Sequence, residues 1–147
     1  MTVALSAKDA ITKLAKKFPE GLEEAVKESV LVKPEALLDV LAYLKDNEDF
    51  KLDYFNYITA VDYYTYFEVV YQLTSLAHNH SLVVKTRCYD HDNPTVPSVT
   101  GIWQGADFQE REIYDLMGIK FEGHYNMKRI FLWDGFPGHP LRKDFNQ

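Results

Sequence analysis

Three closely spaced segments in the middle of the chain, each alternating between apolar and polar residues, constrain the fold most strongly. They span residues 57–63, 66–74 and 81–88. A period of two residues is that of a β-strand with one buried face. Only Tyr64-Thr65 separate the first two segments, and so short a gap predicts a tight hairpin. We therefore expect a largely antiparallel sheet at the centre of the protein.

Two helical patterns and one further strand precede these segments. The first helix is predicted to begin at Ser6 and to close at residues 19–21, and the second to run from Glu35 to about Lys45. Residues 25–32 are predicted to form a single strand. The expected fold is α+β, a two-layer domain with a mostly antiparallel or mixed sheet of about four strands and helices on one face. The helical residues predicted to be buried are Ala7, Ile11, Leu14, Ala15, Leu37, Leu38, Leu41 and Leu44.

Charge and cysteine content exclude several classes of function. The 147 residues include 22 acidic and 16 basic side chains, for a net charge of -6, which argues against nucleic acid as a partner because phosphates require a basic surface. The single cysteine, Cys88, cannot form an internal disulfide or hold an iron–sulfur cluster alone. No apolar run approaches the roughly 20 residues that cross a bilayer. We expect one domain in a reducing compartment, held at any membrane by other proteins.

A short helix is predicted between Trp103 and the C-terminal segment. Asp107 is a suitable N-cap, and Glu110 follows three residues later, as in a capping box. Arg111 and Asp115 have the spacing of an ion pair along a helix, and Ile113, Leu116 and Met117 form its apolar stripe. Gly118 is predicted to end the helix in a left-handed conformation.

The segment after this helix has little periodicity and is rich in glycine, proline, histidine and aromatic residues. Aromatic and aliphatic side chains alternate there with the basic pairs Lys128-Arg129 and Arg142-Lys143. This composition is typical of interface hot spots. We therefore predict that residues 1–118 form the α+β domain and that residues 119–147 form an extended segment that docks on a partner protein.

Acidic residues are the first candidates for catalysis. Glu110 and Glu112 are two apart, so they project to different sides of a helix and cannot converge on one substrate. Glu112 and Asp115 could converge, being three apart, but such acids are usually solvated or paired. Asp62 lies within an apolar and aromatic strand, and we expect it to make a structural hydrogen bond or ion pair near the hairpin.

The histidines are the candidates for a metal site. His78, His80 and His91 lie near Cys88 in the sequence, but the paired spacings of zinc ligands are absent. Cys88 ends an apolar strand face, so we expect it to be a small core residue. No glycine-rich phosphate loop is present, which leaves nucleotide binding without support.

The same residues carry a family signature. Its segments are Pro97-Ser98-Val99, Trp103, residues 110–119, Phe121-x-Gly123-His124, Arg129-Ile130 and residues 138–145, with residues 59–63 and 67–71 upstream. Over about residues 30 to 145, the chain resembles the 30-kDa subunit of respiratory complex I, the proton-pumping NADH:quinone oxidoreductase. Tyr125 stands where the family usually has proline, and Lys128-Arg129 conservatively replaces its usual basic pair.

The resemblance implies a non-catalytic subunit of the peripheral arm. Such a subunit binds no flavin, iron–sulfur cluster or quinone itself, whereas the whole complex uses NADH, FMN, iron–sulfur clusters and quinone. Its C-terminal segment wraps the large subunit that resembles a nickel–iron hydrogenase, near the iron–sulfur subunits, and it reaches the membrane arm only indirectly. It lies on the cytoplasmic face of the plasma membrane. The implied interface and segment-fixing residues are Glu110, Arg111, Glu112, Tyr114, Asp115, Gly118, Gly123, His124, Arg129, Pro140, Leu141, Arg142, Lys143, Asp144 and Phe145.

Two alternatives stay open at this point. The equivalent subunit of a membrane-bound hydrogenase or of a ferredoxin-fed complex has the same fold. Because this subunit does not contact the electron donor, the sequence leaves open the donor, the quinone and whether ions are pumped. The second alternative is a stand-alone hydrolase or metal enzyme that uses Glu112, Asp115 and the histidines.

Overall fold

A computed structural model describes residues 3–5, 7–26 and 29–145. The strands are β1 (Val3–Ala4), β2 (Leu22–Val26), β3 (Ser29–Val32), β4 (Tyr54–Asp62), β5 (Phe67–Ser75), β6 (His80–Cys88), β7 (Thr95–Pro97) and β8 (Lys120–Glu122). The helices are α1 (Ala7–Lys17), α2 (Leu37–Asp46) and α3 (Asp107–Met117). Short 3₁₀ turns, Pro34–Ala36 and Gln104–Ala106, lead into α2 and α3.

A mixed sheet forms one layer of the domain. Its order is β2-β3-β6-β5-β4, and β1 also pairs with β6. Strands β4, β5 and β6 form an antiparallel meander, whereas β1 and β3 run parallel to β6. Tyr64, with a φ of 71°, makes the tight turn between β4 and β5. The α+β class, the meander and its hairpin are confirmed.

The prediction of one strand over residues 25–32 is wrong. Strands β2 and β3 pair antiparallel, with Ala25 opposite Val30 and Val26 opposite Ser29. The chain therefore changes direction between Val26 and Ser29; residues 27 and 28 lie outside the described residues. No glycine, proline or asparagine marks this reversal in the sequence, so the apolar pattern continues through it and hides the turn.

Helices α1 and α2 pack their apolar residues into the same core as the inward side chains of the sheet. Leu14, Leu37, Leu41 and Leu44 are fully buried, as predicted. Ala15 and Leu38 are exposed instead, and Ala10 is buried. In α1 the buried stripe therefore includes Ala10 in place of Ala15, whereas Leu14 is buried and Ile11 is partly buried against the core, as predicted. The predicted first residue of this helix, Ser6, lies outside the described residues. The structure does not describe the burial of the Ala7 side chain.

Helix α3 lies against β4, the edge strand of the sheet. The Gln109 side-chain oxygen accepts a hydrogen bond of 2.7 Å from the Ile58 backbone N–H, which satisfies a donor that an edge strand leaves unpaired. Strand β8 follows the end of α3 and pairs in parallel with β7. Within the described ranges, no helix has the length and apolar character needed to span a bilayer.

Candidate functional site

Asp115 of α3 fixes the course of the C-terminal segment. Its Oδ2 atom accepts hydrogen bonds from three successive backbone N–H groups, those of Ile130, Phe131 and Leu132, at 3.2, 2.7 and 3.0 Å. Its Oδ1 atom lies 3.0 Å from Nη1 of Arg129. Burial by itself would raise the pKa of Asp115, but these donors outweigh it and lower the pKa below its usual value. The carboxylate is fully buried and has no room for a substrate.

The predicted ion pair between Arg111 and Asp115 is wrong. Arg111 donates instead to the backbone carbonyls of Lys128 and Arg129, at 3.0 and 3.2 Å. Asp115 faces the C-terminal segment, where the Arg129 guanidinium occupies the position expected for Arg111. Arg129 also donates to the Gly138 carbonyl at 2.8 Å. Both arginines therefore donate to backbone carbonyls of the segment, which lies against α3.

Asp62, at the end of β4, is the second fixed point of the segment. Its Oδ1 atom accepts from the Tyr64 N–H at 2.8 Å and lies 2.7 Å from Nε2 of His91. Its Oδ2 atom accepts from the Lys143 N–H at 2.8 Å. Burial would raise the pKa of Asp62, but the bonds from Lys143, His91 and Tyr64 together lower it. The expected structural hydrogen bond of Asp62 is confirmed.

Arg142 links the segment to the loop after β6. It donates to the His91 carbonyl at 2.7 Å and pairs with Asp144 at 2.8 Å. Its guanidinium lies 5.2 Å from the Phe67 ring centroid, and the His91 ring stacks on the same phenylalanine at 4.4 Å. Arg142, His91 and Asp62 thus form one polar cluster between the sheet and the end of the chain.

The predicted capping box of Asp107 and Glu110 is wrong. A 3₁₀ turn precedes α3, so Asp107 is the first helical residue and Glu110 turns inward. Glu110 is fully buried and accepts from the Ser98 hydroxyl at 2.6 Å and from the Val99 N–H at 2.8 Å. Burial raises the pKa of Glu110 by more than these hydrogen bonds lower it. Glu112 is exposed, so the two glutamates do not converge.

Asp107 forms a small polar group with the turn after β8. Its Oδ1 atom lies 2.7 Å from Nε2 of His124, whose side chain is fully buried. Its Oδ2 atom accepts from the Tyr125 hydroxyl, and the Tyr125 ring stacks on His124 at 5.1 Å with an interplanar angle of 8°. An open cleft of about 470 Å³ lies beside this group and is lined by Thr100, Gly101, Gln104, Asp107, Gly123 and Tyr125.

Gly118 ends α3 in the left-handed conformation, with a φ of 79°, as predicted. A Cβ at this position would lie 2.8 Å from Cδ2 of His139, so the C-terminal segment approaches the backbone closely here. The Leu141 N–H donates to the Leu116 carbonyl at 2.7 Å. Gly118 therefore ends the helix and also makes room for the returning chain.

Large apolar side chains of the segment point outward. Phe131, Trp133 and Leu141 are 64%, 66% and 59% exposed. Of the other implied interface residues, Lys143 and Asp144 are exposed, Gly123 is exposed in a turn, and Tyr114, Pro140 and Phe145 are half-buried. After residue 128 the segment thus turns hydrogen-bonded backbone toward α3 and exposed apolar side chains away from it.

The histidines of the β5–β6 region contact backbone carbonyl groups through their ring nitrogens. His78 and His80 place Nε2 at 2.6 and 2.8 Å from the carbonyls of Glu48 and Phe50. In the described ranges, no three histidine, cysteine, aspartate or glutamate side chains are grouped so that they could hold a metal ion. Cys88 is buried in the core, as predicted. The sequence analysis did not predict that His91 pairs with Asp62. The isolated acid at Asp62 was the one sign that such a partner was needed.

Comparisons with known proteins assign the chain to a family. The model of the family described as "Respiratory-chain NADH dehydrogenase, 30 Kd subunit" matches residues 30–147. An NADH-quinone oxidoreductase subunit of Roseiflexus sp. (strain RS-1) is 41% identical over 119 residues, which cover 79% of this chain and 68% of that protein. The mitochondrial NADH dehydrogenase (ubiquinone) iron-sulfur protein 3 of Candida albicans is 43% identical over 120 residues, or 80% of this chain and 42% of that protein.

A solved structure is similar to the chain in fold and in sequence. A chain in the structure of the membrane-bound sulfane sulfur reductase, an archaeal respiratory membrane complex, matches with a TM-score of 0.76 and 28% identity, over 95% of this chain and 85% of that one. The chain spans about two thirds of the length of the Roseiflexus relative and about two fifths of the Candida one. The chain belongs to the family of the 30-kDa subunit of respiratory-chain NADH dehydrogenase.

Proposed function

We propose that this chain is a non-catalytic structural subunit in the peripheral arm of a proton-translocating NADH:quinone oxidoreductase. In this role it supports electron transfer from NADH to quinone by binding the hydrogenase-like large subunit. NADH, FMN, iron–sulfur clusters and quinone belong to the other subunits of the complex. The chain itself is peripheral on the cytoplasmic face of the plasma membrane and is held there through its partners.

The observation that supports this proposal is that the C-terminal segment has a fixed backbone and exposed apolar side chains. Buried carboxylates at Asp115 and Asp62 fix its backbone, while Phe131, Trp133 and Leu141 extend into solvent. Exposed aromatic side chains on a backbone held in place are suited to docking, because little conformational entropy is lost on binding. Residues 119–147 are therefore proposed as the docking segment and residues 1–118 as its support.

Affinity purification of the tagged chain from gently solubilised membranes of its own organism, followed by mass spectrometry, tests the proposal. The expected result is recovery of a hydrogenase-like large subunit together with iron–sulfur subunits. Reproducible recovery of the chain alone in mild detergent would contradict the assembly role.

A second candidate is the equivalent subunit of a relative that takes electrons from hydrogen, ferredoxin or another donor. The similarity to a chain of the sulfane sulfur reductase complex, over 95% of the present chain, favours it. The same purification separates the two candidates. Co-purification of a flavoprotein subunit that binds NADH supports the first, and its absence from an otherwise complete assembly supports the second.

A further inference from the structure

A small socket lies where α3, the edge strand β4 and the C-terminal segment meet. It has a volume of about 90 Å³, and its lining residues are Thr59, Ala60, Glu112, Ile113, Leu116, Met117 and Leu141. The Leu141 N–H donates to the Leu116 carbonyl at 2.7 Å, which fixes the segment against α3 beside the socket. Pockets for small-molecule ligands measure about 300–1,000 Å³, so this socket has room for a single side chain only.

Part of the backbone of β4 faces this socket without a partner. The Ile58 N–H points away from β5, because it is bonded to the Gln109 side chain of α3. Backbone groups of an antiparallel strand alternate in direction, and the register of β4 with β5 runs without a shift from residue 57 to residue 62. The N–H and C=O of Ala60 therefore also point away from β5. One helical turn after Gln109, α3 presents Ile113 to the socket, and this side chain has no polar atom that could cap Ala60.

Glu112 lines the same socket and carries an unpaired charge. Its side chain is exposed, and within the described ranges it has neither an ion pair nor a hydrogen bond. The other acids of this part of α3 differ, since Glu110 and Asp115 accept hydrogen bonds from backbone N–H groups of the chain. The socket thus combines a carboxylate and an uncapped backbone carbonyl, both of which accept hydrogen bonds, with apolar walls.

We propose that this socket receives a lysine or arginine side chain from a partner subunit, with Glu112 as its counter-ion. The aliphatic stem of such a side chain packs against Leu116, Met117 and Leu141. Its N–H donors bond to the Glu112 carboxylate and to the Ala60 carbonyl. A purely apolar side chain would bury both acceptors without a donor. The inference rests on the proposed function, because it requires an assembled complex, and it adds a charged contact to the exposed apolar side chains of the C-terminal segment.

A photoreactive residue at Thr59, which is exposed and lines the socket, locates the partner segment. The residue is p-benzoylphenylalanine, whose aromatic side chain suits a strand position. The tagged complex is purified from its own membranes and irradiated, and the cross-linked peptides are identified. We expect a cross-link to a partner segment that carries a lysine or arginine. Recovery of partners before irradiation tests the proposed function separately.

Charge reversal tests the contact itself. Glu112→Lys should lower recovery of the partner at least about tenfold, because like charges then face each other at the socket. Glu122→Lys, at an exposed acid of β8 outside the socket, is the matched control and should leave recovery unchanged. Replacing the basic residue of the cross-linked segment by glutamate should restore recovery with Glu112→Lys, since the pair then forms with opposite polarity.

The isolated Glu112→Lys chain should unfold at the same temperature as the unaltered chain, because the exposed side chain makes no ion pair or hydrogen bond within the described ranges. The inference is overturned if the complex co-purifies but position 59 gives no cross-link to a partner. It is equally overturned if Glu122→Lys lowers recovery as much as Glu112→Lys, or if no replacement of a basic residue in the cross-linked segment restores recovery. Failure of any partner to co-purify with the unaltered chain overturns it together with the proposed function.

Discussion

The backbone N–H of Lys143 donates a hydrogen bond of 2.8 Å to Oδ2 of Asp62, a residue 81 positions earlier in the chain. This bond joins the end of the edge strand β4 to the end of the C-terminal segment. Together with the bonds at Asp115, it means that two buried carboxylates hold the backbone of the segment at residues 130–132 and at Lys143. Predictions about this path can be tested by altering single acceptor atoms.

Asp62→Asn should destabilise the protein by about 1–3 kcal/mol, because an amide nitrogen then faces a donor that had bonded to a carboxylate oxygen. Urea unfolding of the purified chain measures the change. Asp92→Asn, an exposed acid in the neighbouring loop, is the control and should change the free energy of unfolding by less than about 0.5 kcal/mol. Equal effects of the two substitutions would show that the hydrogen bonds of Asp62 do not contribute to the free energy of unfolding beyond what an exposed acid contributes.

Acid should release the segment from α3. The pKa of Asp115 is lowered in the folded state, so its contribution to stability is complete above the unfolded value of about 3.9 and is lost as the pH falls through the lower folded value. The amide protons of Phe131 and Leu132, followed by NMR, should keep their hydrogen-bonded shifts at pH 5 and move only below about pH 4. A midpoint above the usual aspartate pKa at these amides would contradict the lowered value.

Glu110 should show the opposite pH dependence. Its pKa is raised in the folded state, so its carboxylate lowers the free energy of unfolding as the pH rises from the unfolded value of about 4.3 through the folded value. Glu110→Gln should reduce this decline, because an amide does not ionise. The variant should stay folded, since the amide can still accept from Val99 and donate to the Ser98 hydroxyl. Glu110→Ala should cost about 2–4 kcal/mol through unpaired buried donors and a cavity. Denaturation curves from pH 4 to 8 measure both, and an unchanged decline in Glu110→Gln would refute the assignment.

Gly118→Ala should destabilise the protein by at least about 1–2 kcal/mol, because a residue with a Cβ resists the left-handed conformation. The added methyl would also press on the His139 ring. Thermal unfolding measures the loss. At Gly105, where a Cβ meets open space and φ is not positive, alanine should be neutral or slightly stabilising. Similar losses at both glycines would mean that close approach of the segment is not the cause.

Phe131→Ser should reduce recovery of the large subunit in affinity purification by at least about tenfold, the size expected for an interface hot spot. The isolated chain should keep its stability within about 0.5 kcal/mol, since the contact to Asp115 uses the backbone of Phe131. Leu76→Ser, at a residue 70% exposed in the β5–β6 turn, is the control and should leave recovery unchanged. Loss of partners with both variants would point to a general effect of a more polar surface.

Local patterns predicted the elements whose cause is local. The alternation over residues 57–88 predicted the meander, Tyr64-Thr65 its tight turn, and Gly118 the end of α3. Asp62 was predicted to need a partner because an acid in an apolar strand must be hydrogen-bonded. The reversal between β2 and β3 was missed, because no turn-forming residue interrupts the apolar pattern there.

The errors in α3 have a common cause. Helical spacing suggested pairs within the helix, Asp107 with Glu110 and Arg111 with Asp115, and each of these side chains instead bonds to chain outside it. A buried acceptor gains more from satisfying fixed backbone N–H groups than from an exposed helical ion pair, which contributes only about 0.3–0.5 kcal/mol.

The sequence by itself determined the fold class, the meander, the end of α3 and the family, because these follow from periodicity, turn chemistry and short motifs that can be recognised along the chain. Only the tertiary structure decided which donors meet Asp62, Glu110 and Asp115. Those partners include groups 11 and 81 residues away in the chain, and their choice depends on how α3, the sheet edge and the returning segment pack together. Burial favours these partners, since leaving a carboxylate unpaired in the interior costs more free energy than losing a local contact along the helix.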